Sequence, residues 1–249
     1  MTTIEEIIKR LDEIILFCKQ QQSRIGYFAV LYRQVTVRIK NGIDRQEFED
    51  NPRMEKLDVI FAKRFIDAFD EFSRGKQPTE SWRLTFEAAN QGNLTVMQHL
   101  LLGMNAHINL DLGIAAAQTM NYQNLQLIEA DFNYINVVLG ELVDDTKTQI
   151  SRFSPLFKLL VPLAKGKDEI LVNFSIKVAR QGAWKFSNSY AGSIHKTESI
   201  AQRDTAIAKL AQGMIHPGKR ISFIMRLVSL TEWKSVPSII QDLEQIGAS

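Results

Sequence analysis

The stretch from Gln98 to Leu112 constrains the fold most, because it combines a strong apolar drive with several short polar side chains. Further leucines lie off its main apolar stripe, and a helix that is apolar on more than one side is normally buried on more than one side. The stretch therefore predicts a buried α-helix. The apolar residues of the main stripe recur at helical spacings of three, four and four: Leu101, Met104, Ile108 and Leu112.

The polar residues of this predicted helix form two pairs. His107 and Asp111 are four residues apart, which places them one turn apart on the same face. Asn105 and Asn109 repeat that spacing. His99 precedes His107 by eight residues, or roughly 12 Å along a helix axis, which is too far for both to bind one metal ion. We therefore expect His99 to have a structural role.

These buried polar groups need partners, since each unsatisfied group costs about 1–3 kcal/mol. One hypothesis makes His107 and Asp111 ligands of a divalent metal ion, with zinc as the first choice. Metal sites usually take three or more protein ligands, and Asp131 in the next apolar segment is a candidate to meet His107 in space. On this hypothesis Asp131, Asn105 and Asn109 are the catalytic residues. The other hypothesis is a His–Asp hydrogen bond, with the Asn side chains bridging to neighbouring segments.

The rest of the chain predicts an all-α fold, a single domain over residues 1–249 with roughly eight to ten helices. Thr3 is a plausible N-cap, and Pro52 suits the first position of a later helix. The polar side chains of that later helix, Asp58, Arg64 and Asp67, are expected on a solvated face. Alternating strand patterns are few. Helices are predicted at 3–22, 25–41, from Pro52 to Phe72, and at 82–90, 98–120, 125–148, 168–190, 197–214, 221–230 and 236–246.

Composition excludes several classes of protein. The net charge of +2 gives no strong argument for binding to nucleic acid or to an anionic membrane surface. Cys18 is the single cysteine, which rules out an intramolecular disulfide and a cysteine-based zinc cluster. No uncharged apolar run reaches the roughly 18 residues of a membrane span, so no transmembrane segment is expected. The acidic N-terminus is unlike a secretory signal, and we expect a cytoplasmic location.

Common catalytic signatures are missing from the sequence. It has no glycine-rich phosphate loop of the Walker or Rossmann type and no Gly-x-Ser-x-Gly elbow. It also lacks Glu-x-x-His, the repeat of ferritin-like di-iron proteins. These absences argue against nucleotide hydrolysis, α/β-hydrolase chemistry and a carboxylate-bridged di-iron site.

Three segments carry a resemblance to a known group of proteins. They are Gly-Tyr-Phe-Ala at residues 26–29, Phe-Glu-Asp-Asn-Pro-Arg-Met-Glu at 48–55, and Leu-Gly-Met-Asn-Ala-His-Ile-Asn-Leu-Asp at 102–111. The Asn-Ala-His-Ile-Asn core is the most specific piece. Together the segments resemble an uncharacterised, mostly bacterial helical family known only as a domain of unknown function. The likeness covers most of the chain and implies a fold but no activity.

A second, more distant resemblance concerns the Leu-Gly pair that precedes His107 and Asp111. This pattern is similar to a helix of zinc-dependent phospholipase C and P1-type nucleases, all-α enzymes in which His and Asp side chains hold a zinc cluster for phosphoester hydrolysis. The resemblance implies that His107 and Asp111 bind metal. Residues 112–115 read Leu-Gly-Ile-Ala where those enzymes continue with Pro-x-His. A site of this kind would therefore hold one metal ion, with a distant carboxylate such as Asp131 as third ligand.

Three functions are compatible with these patterns. The first is a metal-dependent hydrolase of phosphoesters acting on a small-molecule substrate, with an Asp or His as base. The second is a non-catalytic helical module whose buried His/Asn/Asp network fixes the helix register. The third is a small-molecule pocket lined by Asn105, Asn109, Arg180 and Trp184, the last two being able to stack as a cation–π pair. Oligomeric state stays open.

Overall fold

The computed structural model describes residues 1–135 and 176–245, which form one packed helical body. This part of the chain contains ten α-helices of at least eight residues and no strand, so the predicted all-α class is confirmed. A 3₁₀ turn (Leu125–Ile128) leads into helical residues 129–135. The ten helices are α1 (Ile4–Gln20), α2 (Ile25–Asp44), α3 (Asn51–Ser73), α4 (Glu80–Ala89), α5 (Val96–Ala106), α6 (Leu112–Thr119), α7 (Ile176–Gly192), α8 (Lys196–Ile215), α9 (Lys219–Ser229) and α10 (Val236–Glu244).

A central helix runs through the molecule from Val96 to Thr119 and consists of α5, a π-helical segment (His107–Asp111) and α6. Thr95 begins it with a complete capping box, in which the side chain of Gln98 bonds back to the Thr95 backbone. By length and composition this helix could cross a membrane, but 94% of its most apolar window is buried inside the protein. The buried helix predicted from the sequence is confirmed.

Two glycines let neighbouring helices approach the central helix closely. A Cβ atom on Gly103 would lie 2.3 Å from Cγ of Phe28 on α2. A Cβ atom on Gly113 would lie 2.8 Å from the carbonyl oxygen of Ala183 on α7. Since real side chains do not tolerate such distances, glycine is required at both positions for α2 and α7 to pack where they do.

Capping side chains set the ends of several helices as the sequence predicts. Thr3 accepts a hydrogen bond from the backbone of Glu6 at the start of α1. Asp50 accepts one from the backbone of Arg53 at the start of α3, with Pro52 in the first turn. The end of α2 differs from the prediction by three residues, because the helix continues past Gly42 to Asp44. Gly42 makes room for the Phe48 ring, which would lie 2.9 Å from a Cβ atom there, and does not end the helix.

Three of the predicted helices extend beyond the described residues, and the one predicted at 236–246 does so by residue 246 alone. Of the helix predicted at 125–148, residues 136–148 lie outside them, and the described part begins as a 3₁₀ turn and becomes helical from residue 129. Of the helix predicted at 168–190, residues 168–175 lie outside them, and the remainder is α7. The site described below is built from α2, α3, α4, the central helix and α7.

Candidate functional site

Asp111 is the centre of a buried polar network. Arg64 on α3 donates from Nε to Oδ1 of Asp111 at 2.6 Å. Trp82 on α4 donates from Nε1 to Oδ2 at 2.8 Å, and Nδ1 of His107 lies 3.1 Å from the same oxygen. Three helices therefore meet at one carboxylate that solvent does not reach. Both oxygens of Asp111 already have charged or polar partners.

The charges of this network follow from its burial and its contacts. Burial alone would raise the pKa of Asp111, but the Arg64 charge and the hydrogen bonds from His107 and Trp82 hold it below its usual value. Burial lowers the pKa of His107, against the opposing effect of Asp111. His107 is therefore neutral at pH 7. Because the Asp111 carboxylate can only accept, the His107 proton lies on Nδ1 and Nε2 is left as an acceptor.

Aromatic rings enclose the imidazole of His107. Phe61 stacks on it with ring centroids 3.6 Å apart, and Tyr32 meets it edge to face at 4.3 Å. Nε2 of His107 is buried and has no hydrogen-bond partner among the described residues. A buried polar atom without a partner costs free energy, so this nitrogen is a point where a further group would be stabilised.

The π-helical segment holds the second polar pair of the predicted helix. Asn109 donates to the side-chain oxygen of Asn105 at 3.1 Å, and Asn105 donates to the carbonyl oxygen of Ile207 on α8. Nε of Arg203, also on α8, donates to the carbonyl oxygen of Asn109 at 2.9 Å. These contacts connect the segment to α8. Single-turn π segments inside α-helices occur frequently at functional sites.

Asp58 is a second buried carboxyl group, on α3, six residues before Arg64. Neither of its oxygens has a hydrogen-bond partner within the described part of the chain. Burial, helped by the charge of Glu55, raises its pKa to about 8, so the carboxyl is neutral at pH 7. The hydroxyl of Tyr32, whose pKa is also raised by burial and by the Asp58 charge, is likewise buried without a partner there.

Arg180 on α7 is a buried cation. Its guanidinium lies over the Phe132 ring at 4.5 Å and donates from one terminal nitrogen to the Phe132 carbonyl oxygen. Nε has no partner, and no ion pair joins Arg180 to a carboxylate in the regions the structure describes. Burial lowers its pKa to about 9, so it keeps its charge at pH 7.

One cavity of about 50 Å³ is lined by side chains of α2, α3, the central helix and α7. Its lining surface is almost entirely apolar. A cavity needs roughly 10–15 Å³ to hold one water, and about 150 Å³ is enough for benzene, so this cavity suits a few waters or a small molecule. Four polar side chains are among those that line it: Tyr32, Asp58, His107 and Arg180.

Comparison with known proteins places the chain in a family. The model of a family of unknown function (DUF5995) matches residues 4–217.

The chain belongs to this family.

None of the curated proteins and none of the solved structures matches the chain. The matched range includes the whole Asp111 network and every residue that lines the cavity. The function of this family is unknown, so the evidence for a function comes from these side chains.

The structure brings together only some of the residues predicted to form a site. His107 and Asp111 are in contact, as are Asn105 and Asn109. Asp131 lies elsewhere: its carboxylate accepts hydrogen bonds from the backbone of Glu49 and Asp50. It also pairs with Arg53 at the start of α3.

His99 is also buried away from the Asp111 network. It lies edge to face with Tyr27, with ring centroids 5.9 Å apart, and burial lowers its pKa to about 3. A neutral, buried histidine against an aromatic ring agrees with the structural role expected for His99.

The described residues do not fit a metal centre on His107 and Asp111. They contain no group of three or more His, Cys, Asp or Glu side chains that could hold a metal ion. The Asp111 oxygens are taken by Arg64, Trp82 and His107. The predicted metal-dependent hydrolase, with Asp131, Asn105 and Asn109 as catalytic residues, stays a prediction. Metal analysis of the purified protein and of a His107→Ala variant would test it.

Two of the four polar cavity residues, Tyr32 and Asp58, were not predicted as site residues from the sequence, whereas Arg180 was predicted to line a pocket. Asp58 was expected on a solvated face, yet it lies four residues after Met54 and three before Phe61, which is the spacing of the buried stripe of α3. The expectation of a solvated face rested on the charge of Asp58 and not on this spacing. Arg180 was paired with Trp184, whereas the structure places it over Phe132, which comes from a distant part of the chain and carries no sequence signal for this contact.

Proposed function

We propose that this protein binds a small apolar molecule with one anionic head group in the cavity beside His107. The observation that carries the proposal is that four buried polar side chains line one apolar cavity, and each has a polar atom without a partner among the described residues. Mostly apolar pockets with a few convergent polar groups and perturbed pKa values are the usual form of ligand sites.

The charge of the cavity favours an anion. At pH 7 Asp58 is protonated, because its pKa is about 8, and His107 is neutral. Arg180, with a pKa of about 9, is charged. The polar side chains of the cavity therefore carry one positive charge that none of them offsets, and a buried charge is stabilised by an opposite charge within reach.

The volume and the lining limit the size and type of the ligand. A cavity of about 50 Å³ is a third of the roughly 150 Å³ of a cavity that binds benzene, so wall side chains must move apart to admit even a ligand of a few non-hydrogen atoms. Its walls are apolar, among them Leu31, Val35 and Leu57. A short-chain carboxylate such as propionate combines a small apolar body with an anionic head, and Nε of Arg180, which lacks a partner among the described residues, can donate a charge-assisted hydrogen bond to it.

Isothermal titration with propionate tests the proposal. We expect wild-type protein to bind propionate and to bind its neutral analogue propionamide at least about tenfold more weakly, a difference of about 1.4 kcal/mol. Replacing Arg180 by Met should remove that preference, because the positive charge of the guanidinium is gone. The matched control is Lys185→Met, which removes an exposed cation from the same helix and should change nothing.

Thermal unfolding of each variant separates loss of binding from loss of fold. Equal affinity for propionate and propionamide in a folded wild-type protein would contradict the proposal. So would a folded Arg180→Met variant that binds propionate as wild type does.

A further inference from the structure

Helix α9 carries two apolar stripes on opposite sides. The first comprises Ile221, Met225 and Val228, which are buried. The second repeats the same spacing two residues later, and a shift of two residues turns about 200° around a helix. Its members are exposed, together with a tryptophan just beyond the helix end: Phe223, Leu227, Leu230 and Trp233.

The buried stripe fixes the orientation of α9 on the protein. It packs in an apolar cluster with Leu101 of the central helix and Met214 of α8. The opposite stripe must then face outward, and Leu230 and Trp233 are 72% and 79% exposed. Single exposed apolar residues are ordinary, whereas several on one face mark an interaction surface.

Cations flank this exposed stripe. Lys219 lies four residues before Phe223, and Arg226 lies three residues after it. Arg220 is exposed on the same short helix, and none of the three forms an ion pair within the described regions. No acidic residue occurs in the sequence between His216 and Thr231. The stripe and its flanks therefore combine aromatic and aliphatic side chains with uncompensated positive charge.

We propose that the exposed face of α9 docks on an anionic lipid bilayer surface. Surface-binding helices pair Trp, Phe and Leu on one side with Lys and Arg beside them, so that the apolar side chains enter the headgroup boundary and the cations meet lipid phosphates. A nucleic acid would use the cations but leave Phe223, Leu227 and Leu230 without apolar contacts. An acidic protein groove is the other occupant that the experiment distinguishes.

Vesicle co-sedimentation of the full chain tests this inference. The probes are vesicles of phosphatidylcholine alone and vesicles that also contain phosphatidylserine. We expect wild-type protein to bind the vesicles that contain phosphatidylserine. The double variant Phe223→Ser/Trp233→Ser should bind them about tenfold more weakly. The triple variant in which Lys219, Arg220 and Arg226 are replaced by Gln should not bind them. Emission from Trp233 should shift to shorter wavelength on binding, because its indole leaves water.

The matched control is Ile194→Ser, which removes an apolar side chain that is 88% exposed outside α9. It should bind the vesicles as wild type does. All the substituted residues are exposed, so circular dichroism should show the wild-type fold in every variant. No binding to either vesicle, equal binding to both, or equal loss in Ile194→Ser overturns the inference. Capture of an acidic protein, with no vesicle binding, overturns it too.

Discussion

At the residue scale, two kinds of buried charge distinguish the centre of this protein. Asp111 has three partners, and its pKa is held low by them against the effect of burial. Asp58 and Arg180 have no charged partner in the described regions, and burial shifts the pKa of each toward its neutral form. The paired carboxylate joins three helices. The side chains of Asp58 and Arg180 are among those that line the cavity.

The requirement for glycine at position 103 gives the sharpest prediction about a single side chain. Gly103→Ala should lower the free energy of unfolding by about 1–3 kcal/mol, because the added methyl overlaps the Phe28 ring and α2 must shift. Urea unfolding measures the change. The control is Gly192→Ala in α7, where nothing lies within 4 Å of the new methyl. Stability equal to wild type in Gly103→Ala would contradict the close contact.

The sequence could predict contacts within one helix but not those between helices. His107 and Asp111 share a face at a spacing of four, so their contact follows from helical geometry alone. Arg64 and Trp82 reach Asp111 from α3 and α4, and no spacing in the sequence encodes their approach. The cavity could not be predicted either, since its lining comes from several elements that meet only in the folded chain.

At the element scale, the π-helical segment is the feature that the sequence did not predict. The apolar spacing predicted one buried helix, which is correct, but a wide turn of five residues interrupts it at His107–Asp111. The segment contains both members of the His107–Asp111 pair and Asn109 of the second polar pair. Its carbonyl at Asn109 is met by Arg203 from α8, so a side chain from another helix completes the local hydrogen bonding.

Removing the Arg203 contact should loosen this segment selectively. Arg203→Met keeps the apolar stem against Phe186 but leaves the Asn109 carbonyl without its donor, at a cost of about 1–2 kcal/mol. Hydrogen exchange of the amides of residues 107–112 should become faster than in wild type. Lys209→Met, an exposed change on the same helix, should leave these rates unchanged. Unaltered exchange in Arg203→Met would show that the contact does not hold the segment.

At the scale of the whole molecule, the family match and the packed body do not end at the same residue. The match stops at 217, before α9 and α10 begin. Even so, α10 belongs to the core, because Ile240 is fully buried and would lie 2.5 Å from a Cβ atom on Gly26 of α2. The exposed stripe of α9 lies outside the matched range and the cavity within it. The two proposals therefore depend on different parts of the chain and can fail separately.

The proposed anion site depends on a neutral Asp58 and a charged Arg180 that line one cavity. The pH dependence of propionate affinity tests it most directly. Asp58 loses its proton as pH rises through about 8, which adds a negative charge and cancels the attraction. Arg180 loses its charge only near 9.

Titrations from pH 6 to pH 10 should therefore show wild-type affinity constant up to about pH 8 and falling above it. In Asp58→Asn the fall should begin about one pH unit later, near the pKa of Arg180. The same pH dependence of propionate binding in wild type and Asp58→Asn would rule out the proposed site, as would the absence of binding by either folded protein at any pH.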